Sequence, residues 1–260
     1  MNDPFSCRRN SSLMSRFVIR FLGTGDAFGS GGRLQSSIHV ESKDGCFLID
    51  CGATALIGMK RSGLDASRVG TILISHIHGD HYSGLPFIIK EAQVVTRRTE
   101  PLCIAGPEGL EGHITTLLGS FFPGTEDPFA VFRPEFRVLS TETPCLIGSL
   151  KITSYPAAHS VASNPLTLRI ECAGRVLAYS GDTGWSASLP KASRGADLLI
   201  CESTEFSKDV SGHMSYSTLI DHRHELQCRR IILTHMGQAV LAEKDRLEIE
   251  QADDGMVVEL

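Results

Sequence analysis

A dense run of histidine and aspartate follows a short apolar segment, and it constrains this chain more than any other feature. Residues 70 to 75 are predicted to form a buried strand, and directly after it comes the motif His76-Ile77-His78-Gly79-Asp80-His81. Side chains alternate along an extended chain, so His76 and His78 should share one face. Asp80 and His81 should fall in the turn after Gly79, where neighbouring residues can point at different metal ions. This motif can therefore contribute to two metal sites.

The ligand types in this motif narrow the choice of metal and of site. Imidazole and carboxylate groups suit Zn, Mn or Fe, and a motif without thiolates is not that of a structural zinc finger. The chain has 8 cysteines, but none of them forms a C-x-x-C pair. The cysteines are therefore expected to be free thiols in a reducing compartment.

Length and charge limit the class of protein to which this chain can belong. A chain of 260 residues with 42% hydrophobic content can bury a large core, which fits one α/β domain better than two. We expect a flexible N-terminus over residues 1 to 15 and a single domain over residues 16 to 260. The formal net charge of −5 argues against an overall basic nucleic-acid binder.

The N-terminal residues have no apolar core of a signal peptide, and no later segment has the roughly 18 uninterrupted apolar residues of a membrane span. A cytoplasmic protein without a membrane segment is expected.

Hydrophobic patterning predicts two β-rich halves with intervening helices. Strands are expected over residues 16–22, 36–41, 46–50 and 70–75 in the first half, and over 150–155, 166–172, 175–179, 197–201 and 230–234 in the second. Helices are expected over 53–62, 84–91 and 108–118 and from residue 215, with an irregular segment between Phe121 and Pro134. The pattern fits an α/β sandwich of two sheets with helices outside.

A glycine-rich stretch follows the first predicted strand, over residues 23 to 32. A dinucleotide-binding loop would require a helix immediately afterwards, but residues 36 to 41 are predicted to be a strand. The stretch is therefore interpreted as a tight loop between strands, at the rim of the site.

The motif of His76, His78, Asp80 and His81 matches the H-x-H-x-D-H signature of the metallo-β-lactamase superfamily, which this chain resembles from about residue 17 to 240. The resemblance implies a four-layer αββα sandwich. It also implies three later ligands, each after a strand, and the chain offers them in order as His159, Asp182 and His235.

By this resemblance His76, His78 and His159 hold one divalent metal ion, Asp80, His81 and His235 hold a second, and Asp182 bridges the two. Zn²⁺ is favoured and Mn²⁺ is the alternative. Two such cations lower the pKa of a bridging water, so one cluster supplies both nucleophile and Lewis acid. A dinuclear metal-dependent hydrolase is expected.

Further motifs resemble the ribonuclease Z branch and its phosphodiesterase relatives: Phe21-Leu22-Gly23-Thr24-Gly25, Cys201-Glu202-Ser203-Thr204-Glu205-Phe206 and Gly212-His213-Met214-Ser215. In that branch the matching Glu202 and His213 form a pair outside the metal shell. The carboxylate would raise the pKa of the imidazole and orient it to protonate a leaving alkoxide. Catalytic roles are therefore assigned to Asp80, Glu202 and His213. A surface salt bridge or a helix cap is the alternative interpretation of the pair.

The chain departs from the tRNA-maturing ribonucleases Z between His159 and Asp182. Those enzymes generally carry a long tRNA-clamping arm there, whereas this interval is short and filled by two predicted strands. We therefore expect a phosphodiesterase that cleaves a small or cyclic phosphodiester by a metal-bridging hydroxide. The alternatives are a ribonuclease Z-like tRNA 3′-processing endoribonuclease with RNA as its substrate, a lactonase or other ester hydrolase, and a non-enzymatic metal-binding regulatory protein.

A homodimer is the remaining partner hypothesis, because such relatives are often homodimers. The apolar Phe121, Phe122, Phe129 and Phe132 could form its interface, or they could belong to a lid or to the core.

Overall fold

The computed structural model describes residues 16–124, 126–208 and 210–260. The flexible segment expected over residues 1 to 15 lies outside the described residues. The strands are β1 Val18–Gly23, β2 Ser37–Ser42, β3 Gly45–Ile49, β4 Val69–Leu73, β5 Cys103–Gly106, β6 Glu135–Val138, β7 Cys145–Ile147, β8 Leu150–Pro156, β9 Leu166–Cys172, β10 Arg175–Tyr179, β11 Leu198–Glu202, β12 Ile231–Thr234, β13 Glu250–Gln251 and β14 Val257–Glu259. The α-helices are α1 Ala55–Arg61, α2 Gly79–Tyr82, α3 Leu85–Val94, α4 Leu110–Phe121, α5 Ser188–Ser193, α6 Tyr216–His222 and α7 Gln238–Ala242.

The strands form two seven-stranded sheets. The first has the order β14-β1-β2-β3-β4-β5-β6 and the second the order β13-β12-β11-β10-β9-β8-β7. Each sheet is half antiparallel and half parallel: β3 to β6 run parallel in the first, and β10 to β13 in the second. The two halves of the chain thus build similar sheets, as the sequence predicts.

Three apolar clusters separate four layers. One cluster lies between the sheets and contains Ile19, Phe47, Ile152 and Tyr179. A second packs the first sheet against α1, α3 and α4, and a third packs the second sheet against α5, α6 and α7. This arrangement confirms the predicted αββα sandwich.

The predicted elements agree closely with the observed ones, apart from several short ones. Strands β5, β6, β7, β13 and β14 have two to four residues each, too few to give a hydrophobic period. The turn expected at Asp80 and His81 is the single-turn helix α2, because the Ser83 N–H donates to the Gly79 carbonyl at 3.0 Å.

The segment after α4 divides between core and surface. Phe129 and Phe132 are buried in the helical layer of the first sheet, whereas Phe121 is 44% exposed and stacks on Phe87. Phe129 and Phe132 therefore belong to the core. The homodimer stays a prediction.

The cysteines within the described residues are free thiols. None of the helices described is long and apolar enough to cross a bilayer.

Candidate metal centre

The candidate site lies at one edge of the sandwich, where strands of both sheets end. His76 follows β4, His159 follows β8, Asp182 follows β10 and His235 follows β12. Strands β8 and β10 run in the same direction because both pair antiparallel with β9, and β10, β11 and β12 are parallel. Carboxyl ends of parallel strands meet at a common edge, so side chains distant in sequence converge there.

The first cluster of possible ligands contains His76, His78, His159 and Asp182. Their ligand atoms all lie within 4.8 Å of one another. His159 Nε2 is 3.0 Å from His78 Nδ1, and His76 Nε2 is 3.7 Å from Asp182 Oδ2. Three imidazoles and one carboxylate can hold a divalent cation here.

The second cluster contains Asp80, His81, Asp182 and His235, again with all ligand atoms within 4.8 Å of one another. Asp80 Oδ2 is 3.1 Å from His235 Nε2 and 3.1 Å from His81 Nε2. Asp182 belongs to both clusters, so its two carboxylate oxygens can bridge two cations. The structure thus brings together all seven side chains that the sequence assigns as ligands.

The donor set fits a divalent metal ion. His76 Nε2 is buried and has no hydrogen-bond partner among the described residues. His81 Nε2 and Asp182 Oδ1 are buried and lie 3.3 Å apart, outside hydrogen-bond geometry. Buried polar atoms are rarely left without a partner, and here they face other atoms of ligand type. A cation would satisfy all of them.

A buried carboxylate that sequence reasoning missed orients one of these ligands. Asp50, directly after β3, accepts hydrogen bonds from His81 Nδ1 at 2.7 Å, from Tyr179 Oη at 2.7 Å and from Ser75 Oγ at 2.9 Å. A histidine that gives its second nitrogen to a carboxylate presents the first in a fixed orientation. One sequence signal could have revealed Asp50. It is an acidic residue directly after an apolar strand, and the candidate ligands also follow apolar strands.

Charge favours the metal-binding form of His76 and Asp182, whereas neighbouring carboxylates outweigh burial at His81 and His235 and raise the pKa of both imidazoles. Burial and the neighbouring His81 hold the pKa of His76 well below its usual value, so His76 is neutral. Burial acts to raise the pKa of Asp182, but His235 and His81 hold it well below its usual range, so Asp182 is ionised. Neutral imidazole and ionised carboxylate are the ligand forms.

Glu202 and His213 form a hydrogen-bonded pair beside the clusters. His213 Nδ1 lies 3.2 Å from each carboxylate oxygen of Glu202 and 3.9 Å from Asp182 Oδ2. The Glu202 side chain is 1% exposed and that of His213 is 23% exposed. The pair is therefore neither a surface salt bridge nor a helix cap, since the N-cap of α6 is Ser215.

The surroundings of the pair fix the carboxylate. Glu202 also accepts hydrogen bonds from the Thr183 N–H and from Thr204 Oγ1. Burial acts to lower the pKa of His213, but the hydrogen bond and charge of Glu202, together with Asp182, raise it above the usual value. The Glu202 carboxylate therefore favours the protonated form of the His213 imidazole.

The glycine-rich loop lies at the rim of the site, as expected. The His235 N–H donates to the Thr24 carbonyl at 2.9 Å, and Gly25 pairs with Met236. A short 3-10 turn, Ser30–Gly32, follows, and then β2 begins, so no helix is present for a dinucleotide phosphate.

Fold and ligand set together define a protein of the metallo-β-lactamase superfamily, in its ribonuclease Z and phosphodiesterase-like branch. Within it, this chain belongs to the family described as "Anti-Pycsar protein Apyc1", whose model matches residues 17–255.

Curated relatives of this chain are named Ribonuclease Z. The protein of Parabacteroides distasonis is 33% identical over 165 residues, which cover 64% of this chain and 50% of the relative. The chain thus spans about half the length of such relatives in those alignments. The protein of Methanothermobacter thermautotrophicus is 28% identical over 302 positions, covering 93% of this chain and 96% of the relative.

Solved structures share the fold. The human tRNase Z short form (ELAC1) has a TM-score of 0.75 at 25% identity and covers 93% of this chain and 98% of its own. The metallo-β-lactamase fold protein YhfI of Bacillus subtilis has a TM-score of 0.76 at 20% identity and covers 94% of this chain and 100% of its own.

Proposed function

We propose that this protein is a metal-dependent hydrolase that cleaves a small or cyclic phosphodiester. The observation that carries this proposal is the pair of His213 and the buried Glu202. His213 Nδ1 lies 3.9 Å from Oδ2 of Asp182, the carboxylate that both ligand clusters share. Phosphodiester hydrolysis expels an alkoxide, which is a poor leaving group unless it receives a proton. A charged imidazole next to a metal centre meets that need.

The metal ligands in this proposal are His76, His78 and His159 for one cation and Asp80, His81 and His235 for the other, with Asp182 between them. The clustering of their ligand atoms and the buried, unpaired His76 Nε2 support the assignment. When bound, two divalent cations would supply a Lewis acid and lower the pKa of the attacking water. Zn²⁺ is the first candidate and Mn²⁺ the second, because histidine and carboxylate ligands accept both.

The chain's own residues would then divide the work. Glu202 accepts from His213 Nδ1, which fixes the ring and leaves Nε2 to carry the second proton. His213 Nε2 would donate that proton to the leaving oxygen as the ester bond breaks. Thr204 and the Thr183 backbone hold the Glu202 carboxylate in place during the transfer.

The alternative substrate is RNA, which the names of the ribonuclease Z relatives favour. Two observations favour the small substrate instead. Strands β9 and β10 are joined directly through Ala173 and Gly174, so the interval between His159 and Asp182 holds a tight hairpin and no arm. The alignment with the Methanothermobacter relative extends over 302 positions, although this chain has only 260 residues, so the relative contains segments that the chain lacks.

The proposal is tested with protein purified in the presence of Zn²⁺ or Mn²⁺. Turnover of bis-p-nitrophenyl phosphate and of cyclic nucleotides is compared with turnover of a β-lactam, a lactone and a tRNA precursor, with Asp80→Ala as the blank. We expect phosphodiester turnover that the blank lacks. Turnover of the lactone alone would overturn the substrate class, and efficient tRNA 3′ processing would replace it with the alternative.

Replacement of His213 separates phosphodiester from lactone chemistry. His213→Ala should lower kcat by about 10²- to 10⁴-fold for a phosphodiester with an alkoxide leaving group, the usual range for a lost general acid. The effect should be much smaller with a p-nitrophenolate leaving group, which needs no proton. Equal losses with both leaving groups would remove the acid role from His213.

A further inference from the structure

Trp185 is the single tryptophan of the chain, and it lies three residues after the candidate ligand Asp182. Its half-buried side chain packs against the apolar cluster between the second sheet and its helices. The ring stacks on the imidazole of His222, the last residue of α6, with 4.3 Å between ring centroids and 16° between ring planes. The stack therefore joins the loop after β10 to helix α6.

The loop that carries Trp185 also holds the partner of the proposed acid. Thr183, two residues before Trp185, donates its N–H to Glu202 Oε1 at 2.5 Å. The Gly184 N–H donates to the Ala158 carbonyl at 2.9 Å, in the segment after β8. A displacement of this loop would therefore move the hydrogen bond that fixes the Glu202 carboxylate.

The loop meets the segment around α6 at two separate places. At the start of the helix, a Cβ on Gly184 would lie 3.8 Å from the carbonyl oxygen of His213, two residues before the N-cap Ser215. At the end of the helix, Trp185 stacks on His222. Contacts at both ends of a helix fix the direction of the loop along it, which a contact at one end cannot do.

The imidazole that receives the stack is itself held in place. His222 Nδ1 is 2.6 Å from Oε1 of Glu225, which lies in the short 3-10 turn after α6. The His222 side chain is 38% exposed, so its replacement removes little of the buried core. A stacked aromatic pair is worth roughly a two- to tenfold change in an equilibrium constant, which is enough to bias the position of a loop.

We infer that Trp185 is a positioning residue for the proposed acid. Its stack on His222 holds the loop at which the Thr183 N–H meets Glu202. The Glu202 carboxylate in turn orients the imidazole of His213. The catalytic consequence rests on the proposed phosphodiesterase function, whereas the position of the loop can be measured without turnover.

The kinetic test compares two leaving groups on metal-loaded protein. Trp185→Leu and His222→Leu each remove one ring of the stack, and Trp185→Phe and His222→Phe each keep a ring. The leucine variants should lower kcat roughly two- to tenfold for a phosphodiester with an alkoxide leaving group, because the acid is less well oriented. They should leave kcat for a p-nitrophenolate ester near the parental value, and the phenylalanine variants should keep most of both activities.

A double variant tests whether the two rings act as one contact. Trp185→Leu combined with His222→Leu should lose no more kcat than either single variant, since each replacement removes the same stack. Losses that multiply in the double variant would show that the two residues act separately, and they would overturn the inference.

Amide hydrogen exchange separates this inference from the proposed function. In Zn²⁺-loaded protein, Trp185→Leu should speed exchange of the Thr183 amide roughly two- to tenfold, as measured by NMR. Exchange of the Leu199 amide, which donates to the Arg230 carbonyl within the second sheet, should stay unchanged. If the parent hydrolyses no phosphodiester, the proposed function fails and exchange at Thr183 alone decides the role of Trp185.

Three outcomes would overturn the positioning role. They are unchanged exchange at Thr183, an equal rise at Thr183 and Leu199, which is a general loss of stability, and equal losses of kcat with both leaving groups.

Discussion

Asp50 accepts a 2.7 Å hydrogen bond from Nδ1 of His81, a residue whose Nε2 faces both Asp80 and Asp182. Both side chains are fully buried. The pair connects the end of β3 to the motif after β4, so the orientation of one candidate ligand depends on a residue outside the motif.

Replacing Asp50 by asparagine should weaken metal binding without unfolding the chain. Asp50 has a positive φ of 55°, a conformation that asparagine tolerates, so the variant removes mainly the charge. Loss of such an orienting carboxylate typically costs about 10- to 100-fold in metal affinity. Competition with a chelator measures the affinity. Tyr179→Phe removes another hydrogen bond to Asp50 but leaves that of His81, and it should affect affinity less; an Asp50→Asn variant with parental affinity would contradict the orienting role.

Removing the metal should lower the stability of the fold. Binding to the folded state alone stabilises it by about 4 kcal/mol per site when free metal is a thousand times its Kd. Thermal unfolding with and without a chelator should therefore give well-separated midpoints. His78→Ala, at a half-exposed ligand position, should reduce this separation. His224→Ala, an exposed histidine hydrogen-bonded to the Asp221 carbonyl, should preserve it; an equal reduction in both variants would point to a general loss of stability.

Of two glycines next to the site, only one should be sensitive to replacement by alanine. A Cβ on Gly52 would lie 2.3 Å from the Asp80 carbonyl oxygen, so the motif must shift. Overpacking of this kind costs about 1–3 kcal/mol. A Cβ on Gly79, inside the motif, would meet nothing within 4 Å. Denaturant unfolding and metal content should therefore change in Gly52→Ala and stay near parental in Gly79→Ala. A loss of stability and metal in Gly79→Ala but not in Gly52→Ala would show that the backbone of the motif is positioned differently.

His39 should make the fold sensitive to acid independently of the metal. Burial lowers the pKa of His39 to about 4 from an unfolded value of 6.5, against an opposing effect of Glu41 and together with Arg20 and Arg68. The folded state thus disfavours the protonated form, and this stability is present above pH 6.5 and is lost as the pH falls from 6.5 toward 4. The loss amounts to about 3 kcal/mol at most. In chelator-treated protein, the free energy of unfolding should fall less steeply across this pH range for His39→Leu than for the parent. Equal slopes in the two proteins would show that His39 is not the source of the acid sensitivity.

The ligand set was largely predictable because its signals are local. Four of the seven candidate ligands lie within six residues, after an apolar run long enough to identify a strand. His159, Asp182 and His235 each follow a predicted strand, and their order along the chain matched the resemblance. The sandwich of two sheets with helices outside followed from the alternation of apolar segments, which adjacent residues determine by themselves, and the resemblance added the four-layer αββα order.

The short strands and the supporting contacts were not predictable in this way. Strand β7 has three residues, and β13 has two, so only pairing with a neighbour identifies them. Asp50 is 31 residues from His81 and 129 residues from Tyr179, and no pattern in the intervening sequence connects them.

The sequence by itself determined which residue types stand at the ends of which strands, because strand periodicity and turn residues are properties of neighbouring positions. Only the tertiary structure decided that Asp50 supports His81 and that the pair of Glu202 and His213 is buried and not a surface salt bridge. Such contacts depend on the order and direction of strands in two sheets, as in the parallel pairing of β3 with β4. Burial removes water as a competing partner, so the few polar groups aligned at this sheet edge can act together as a candidate metal centre.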